Sequence, residues 1–386
     1  MEFELWWLLA LPLFFGLGWL AARVDIRHVM TESRSVPASY FRGLNYLLNE
    51  QPDRAIEAFI EVVKVDSDTV DLHFALGGLF RKRGEVERAI RMHQNLVERE
   101  DLSPEQQLRA RFELGQDYLR AGLLDRAEAI FTRLQQGEMA GQAQAFLLEI
   151  YVQEKDWNHA VSAARNLSRV SNQSYQVEIG HYLCELANQS WLNEQVDVAR
   201  EYLSEALTAN RECVRANMLL GDIAASREEH TAALTAWRRI EAQSIPHLTL
   251  VADRIMTAYR ELGREAEGLV FLRSALSRHP SYELFSTVFS ATLRLQGAQV
   301  ACELAREELQ RSASLRTLDR LLEAEMLLAP AERQPDLQLS RSAVQRYAQA
   351  QMVYQCTHCG FRARNFFWHC PACGQWDSFP PQRKEE

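Results

Sequence analysis

The chain lacks the usual marks of chemistry. It has no Gly-x-x-x-x-Gly-Lys-Ser/Thr loop, no His-Glu-x-x-His, no Gly-x-Ser-x-Gly and no complete dinucleotide fingerprint; Gly16-x-Gly18 stops short of the third glycine. Catalysis therefore has no candidate. Positive charge is also short: 43 Lys and Arg against 52 Asp and Glu leave a net charge of −9, with no basic stripe interleaved with aromatics. That excludes the electrostatic footprint of a nucleic-acid binder. Asp66, Asp68 and Asp71 lack the glycine and terminal glutamate of a calcium loop. Cysteine is sparse, seven in all, and four crowd into the last 31 residues. Cys184, Cys213 and Cys302 stand singly on helical stretches, and an odd total placed this way implies reduced thiols and a cytosolic compartment. The Asn166, Asn172 and Asn188 triplets fall within helical stretches, which makes them poor glycosylation sites.

What is present is a unit repeating about every 34 residues. Leu76-Gly77-x-x-Phe80, Gly84, Ala89 and Leu96 are echoed by Leu114-Gly115-x-x-Tyr118, Gly122, Ala127, Phe131 and Leu134. Gly43, Tyr46, Ala55 and Phe59 precede them in the same frame. It continues through Leu148, Tyr151 and Ala160; Ala187, Ala199 and Leu203; Gly221, Ala233 and Trp237; Tyr259, Gly263 and Ala275; and Leu293, Gly297 and Cys302. This is the tetratricopeptide (TPR) pattern, in which small residues let paired helices approach and aromatics fill the space between them. We read eight repeats, the fifth and eighth departing most from the pattern, and an all-α superhelical solenoid. Ser103-Pro104-Glu105-Gln106 reads as a capping-box helix start inside one of the longer spacings. His73, His93 and His181 fall at packing positions.

Leu5 to Ala22 is an apolar run of 18 residues. At about 1.5 Å per residue it spans roughly 27 Å, the length of one transmembrane helix. Glu2 and Glu4 open the chain and no small-x-small cleavage site follows, so an anchor is expected rather than a cleaved leader. Arg23, Arg27, Arg34 and Arg42 follow the run and nothing basic precedes it, which places the remainder on the cytoplasmic side.

The organisation read from the sequence is therefore an anchor (1–22), a tether (23–36), the TPR array with a closing helix (37–328), a linker and helix (329–351), a metal domain (352–380) and a tail (381–386). Pro330 and Pro335 bracket the linker, a helix is expected from Leu337, and Val353-Tyr354 looks like a short strand. Cys356-Thr357-His358-Cys359-Gly360 and Cys370-Pro371-Ala372-Cys373-Gly374 present four thiolates to one tetrahedral ion, iron or zinc. His358 and His369 are expected to lie exposed or behind the ligands. A module of about 30 residues cannot build an adequate core alone. Phe361, Phe366, Phe367, Trp368 and Trp376 are too many aromatics for it to bury, so some should dock on the helical array or on a partner.

An acidic start, one apolar helix, a TPR array and a rubredoxin-like (zinc-ribbon) tail together resemble the lipopolysaccharide assembly protein B family of Gram-negative bacteria. The residues carrying the resemblance include Gly77-x-Leu79-Phe80-Arg81-x-Arg83-Gly84-Glu85, Tyr354-x-Cys356-x-x-Cys359-Gly360-Phe361 and Trp368-His369-Cys370-Pro371-x-Cys373. The resemblance implies a cytoplasm-facing inner-membrane adaptor that brings the lipid A pathway deacetylase LpxC to the membrane protease FtsH. It also implies a YejM/PbgA-type regulator as partner, and a metal domain that must dock on the repeats. Usual repeat geometry places Arg109, Gln116, Arg120 and Asp222 on the partner-binding face, and leaves open whether a second copy of the chain pairs with the first. Two other classes fit the same parts: a metalloredox protein of the rubredoxin type and an envelope-assembly scaffold.

Overall fold

The computed structural model describes residues 38–348 and 352–385, apart from 50, 66–69, 172 and 383, together with Phe15 and Trp19. The anchor expected over Leu5–Ala22 and the tether after it lie outside the described residues, save for those two. Among the described residues no helix is long and apolar enough to cross a membrane.

Two compact units, 1–146 and 147–386, divide the chain. In both, consecutive helices pair as antiparallel hairpins, the architecture that the repeat predicts. Unit 1 contains Ala38–Leu48 with Pro52–Val65, Val70–Arg83 with Val86–Val97, Pro104–Arg120 with Leu124–Arg133, and the start of Ala140–Glu154. Unit 2 continues from that helix to Trp157–Val170. Gln176–Leu192 then pairs with Val196–Ala209, Val214–Ser226 with His230–Gln243, Ala252–Glu261 with Glu265–Arg278, and Tyr282–Gln296 with Ala298–Arg311. Leu315–Leu328 and Gln334–Ala348 add a further packed pair. This last helix begins at Gln334, so Pro335 occupies its first turn, where its missing N–H costs nothing, instead of closing a linker.

The spacing works through glycine. A Cβ at Gly43, Gly77, Gly115 or Gly221 would lie within 3 Å of Phe59, His93, Phe131 or Trp237 respectively. Each glycine is thus where a bulky side chain of the second helix reaches the first helix's backbone. Trp237 is fixed further by donating its indole N–H to the Met218 carbonyl at 3.2 Å. In the second hairpin the plug is polar. His93 Nδ1 lies 2.5 Å from Asp117 Oδ2, both fully buried, and Arg81 bonds Asp117 at 2.8 Å and Glu113 at 2.5 Å. His93 is a packing residue, as read, and also the end of a buried ion network.

The turn between paired helices needs a left-handed residue. Gly84, Gly122 and Gly263 supply it with φ of 84°, 74° and 68°, whereas Lys155, Glu194 and Glu228 adopt 58°, 63° and 61° at the corresponding turns. The capping box forms as expected: Ser103 Oγ accepts from the Gln106 amide at 3.2 Å and Gln106 Oε1 accepts from the Ser103 amide at 3.0 Å.

Gly221→Ala places a methyl group 2.2 Å from Trp237 Nε1 and should break the indole–carbonyl bond. We expect a loss of about 1–3 kcal/mol, the usual cost of overpacking, read as a lower urea midpoint for unit 2. An unchanged midpoint would show that the indole has space to move aside.

Candidate metal centre and its seat on the helices

The carboxy-terminal segment folds as two turns against a small sheet. Strands β1 (Met352–Gln355), β2 (Arg362–Ala363) and β3 (Lys384–Glu385) are antiparallel in the order β2-β1-β3, with Tyr354 opposite Ala363 and Met352 opposite Glu385. Each Cys-x-x-Cys turn is closed by backbone bonds. Gly360 N–H donates to Cys356 O at 3.0 Å and Gly374 N–H to Cys370 O at 2.9 Å, both glycines with positive φ.

The four sulfurs of Cys356, Cys359, Cys370 and Cys373 lie within 4.8 Å of one another. Cys356 and Cys373 are 3.9 Å apart, and Cys359 and Cys370 are 3.7 Å apart. A tetrahedron with metal–sulfur bonds of about 2.3 Å has edges of about 3.8 Å, so the cage already has the size of a tetrahedral thiolate site.

Alone, the four thiols are unequal. Burial pushes the Cys356 thiol up, yet hydrogen bonds from Ser378 and from the Cys359 and His358 amides outweigh it and bring the group to about 6. The Gln375 amide pulls Cys373 down, but burial and the thiols of Cys370, Cys359 and Cys356 drive it to about 12. Four sulfurs this close cannot all ionise unless a positive ion sits among them. The four cysteines form a tetrahedral metal site; sulfur ligation of this kind suits iron and zinc alike.

The knuckle is not free-standing. Trp376, buried, stacks on His181 of Gln176–Leu192 with ring centroids 4.7 Å apart and planes 16° apart. Trp157 and Tyr182 meet the same indole edge-on at 6.3 and 5.9 Å, and the Arg215 guanidinium lies 5.9 Å from its centroid. A carboxylate oxygen of Asp377 approaches to 2.8 Å of His181 Nε2, outside hydrogen-bond geometry, from a residue held at a φ of 50°. A second contact forms where Trp368 stacks on His247 at 5.6 Å and 9°. His247 sits in the 3-10 turn Ile245–Leu250. A third forms where Gln382 Nε2 donates to His279 Nε2 at 2.6 Å. The aromatics expected to dock do so through Trp376, Trp368 and Phe366, which meets His247 edge-on, while Phe361 and Phe367 remain exposed.

Two histidines take on more than the sequence suggested. His181 packs, as expected, but its partners are the knuckle's own Trp376 and Asp377. His247 gave no sequence signal, because a histidine in a short 3-10 turn falls in no motif. Next to the ligands, His358 is exposed, and His369 stands behind them with its ring 4.5 Å from Trp376.

The residues expected to bind a partner are placed as follows. Arg109, Gln116 and Arg120 lie on one face of Pro104–Arg120. Arg109 covers the Phe74 ring at 4.3 Å and reaches Asp71 at 3.5 Å, Gln116 is half-buried and Arg120 is exposed. Asp222, in the other unit, is gripped by Arg254 at 2.6 and 2.7 Å, and burial raises its carboxyl despite that partner.

Comparison with known proteins follows the same division. The rubredoxin metal binding domain family matches residues 354–381, and the tetratricopeptide repeat family matches 42–101 and 185–246. Lipopolysaccharide assembly protein B of Escherichia coli (strain K12) is 32% identical over 378 residues, covering 97% of this chain and 97% of that protein. The protein of the same name from Haemophilus influenzae is 29% identical over 393 residues, with 98% of both covered. Among solved structures, the Naa15/Naa10 complex bound to HypK-THB aligns with 80% of this chain and 46% of its own, at a TM-score of 0.44 and 16% identity.

Burial lowers the imidazole pKa of His247, with Asp377 opposing weakly. An exposed ring titrates near 6.5, so protons favour the undocked state. The seat should hold fully above about pH 6.5 and weaken as pH falls below it, levelling off once pH passes the lower pKa of the buried ring. Lower amide protection around Trp368 at about pH 5.5 than at about 7.5, each rate divided by the intrinsic rate at that pH, with the difference reduced by His247→Phe, would bear this out. Equal protection at both would show that the titration of His247 does not control the seat.

Proposed function

Because the chain belongs to the lipopolysaccharide assembly protein B family, we propose that it regulates lipopolysaccharide production as a membrane-tethered adaptor. In this reading residues 5–22 form an inner-membrane anchor. The helical hairpins hold LpxC, and the assembly presents it to an FtsH-type protease under control of a YejM/PbgA-type regulator.

The observation that carries the reading is the seated knuckle. A rubredoxin-like domain that shuttled electrons would gain from a free face toward its partners. Here Trp376 and Trp368 are instead spent on the chain's own helices. The metal then acts as a structural clamp across helices from Trp157 to His279, holding a fixed surface for a client. Helical hairpins stacked side by side present a long binding face, and Arg109, Gln116 and Arg120 offer adjacent polar positions on one such helix.

The test is the half-life of LpxC in cells carrying this protein, its Cys356→Ser/Cys359→Ser variant, or no copy, with variant abundance checked by immunoblot. We expect rapid decay with the intact protein and persistence in the other two. Equal half-lives in all three would overturn the adaptor reading.

A further inference from the structure

Beneath the knuckle's seat two thiols meet that the metal site does not use. Cys184 lies on Gln176–Leu192 and Cys213 caps Val214–Ser226. Both are buried, and their sulfurs are 3.8 Å apart. The same two elements carry the seat. His181 stands one helical turn before Cys184, and Glu185 follows it. Arg215 follows Cys213 closely, pairs with Glu185 at 2.9 Å and faces Trp376.

We propose that Cys184 and Cys213 are a peroxide-sensitive dithiol site whose closure to a disulfide loosens the seat of the metal knuckle. This stands apart from the adaptor reading. It requires only the geometry of the two thiols and of the seat above them.

The pair is asymmetric in the way such chemistry needs. Contact with Cys184, aided by the nearby His181 and the Ala216 amide, brings Cys213 down to about 7 against the opposing effect of burial. Burial and contact with Cys213 hold Cys184 well above the ordinary thiol range. Cys213, at the amino-terminal cap of Val214–Ser226 with the Ala216 amide beside its sulfur, is thus the sulfur that attacks. Its thiolate attacks one oxygen of a hydroperoxide. The O–O bond breaks, Cys213 becomes a sulfenic acid, and the departing hydroxide or alkoxide takes a proton. Cys184 sulfur then attacks Cys213 sulfur, the S–O bond breaks and water leaves with the Cys184 proton. Two thiols lose two electrons. With hydrogen peroxide, the oxidant is reduced to two waters.

The product needs the sulfurs to close to about 2.05 Å. Gly180 lies beside Cys213 with room for a methyl group, a Cβ placed there standing at an ordinary 3.6 Å from the sulfur, so closure is reached by moving the two elements that carry the pair. In a close-packed interior such a shift is passed on to neighbours. Those neighbours include His181 and Arg215, which hold Trp376.

The experiment uses the full chain in detergent with its metal bound, titrated with hydrogen peroxide. Non-reducing peptide mapping, metal content and amide exchange over 368–377 are followed together. We expect a Cys184–Cys213 crosslinked peptide, lighter by two hydrogens, to appear while the metal is still bound. Exchange over 368–377 should rise with it and be restored by dithiothreitol, and Cys184→Ala or Cys213→Ala should abolish the peroxide response. Thiols that persist until the metal is lost would overturn the proposal, as would a crosslink that leaves exchange unchanged. The wild-type map decides even where an alanine variant folds poorly.

Discussion

A domain of about 30 residues cannot shield its own core from water, and much of unit 2 answers to that constraint. The metal supplies one remedy by tying two turns together. The second is borrowed burial: Trp376 and Trp368 find their apolar surroundings on helices laid down much earlier in the chain. The core internal to the knuckle is small, built on Tyr354, Cys356, Cys370 and Phe379. Neither remedy replaces the other, since the ion fixes the turns while the indoles fix where the turns sit.

The seat explains the chemical character of the helices under it. Gln176–Leu192 carries buried residues on several faces, among them His181, Tyr182, Cys184 and Ser190, where an ordinary repeat helix would be apolar along one stripe. These side chains face both a neighbouring helix and a docked domain. Histidine and tyrosine offer a flat ring for stacking together with a polar edge, and so suit a surface with two kinds of neighbour.

Much of this was legible in the sequence. The glycine-to-aromatic register announced itself because Gly43, Gly77, Gly115 and Gly221 each meet a bulky partner at one fixed offset. The four cysteines announced themselves because metal geometry imposes spacing. The middle repeats were harder to read for a definite reason: Lys155, Glu194 and Glu228 occupy left-handed turns where glycine marks the others, so the punctuation disappears while the fold stays. The fifth repeat is one of the two that depart most from the pattern, and its first helix carries His181 and Tyr182, which meet Trp376 of the knuckle. That some of the knuckle's aromatics dock was expected from their number, but where they dock was hidden, because stacking of Trp376 on His181 joins residues remote in sequence and leaves no local signature.

That remoteness sets an order of assembly. The helices bearing Trp157, His181 and His247 emerge from the ribosome well before the cysteines do, and contacts between neighbouring hairpins form locally and quickly. The knuckle therefore meets its platform only after the hairpins that bear it are in register. A chain with a misthreaded hairpin would complete its metal turns and find no platform for its two tryptophans. Those indoles would then stay in water as an exposed apolar surface, the feature by which cellular quality control distinguishes unfinished proteins from finished ones.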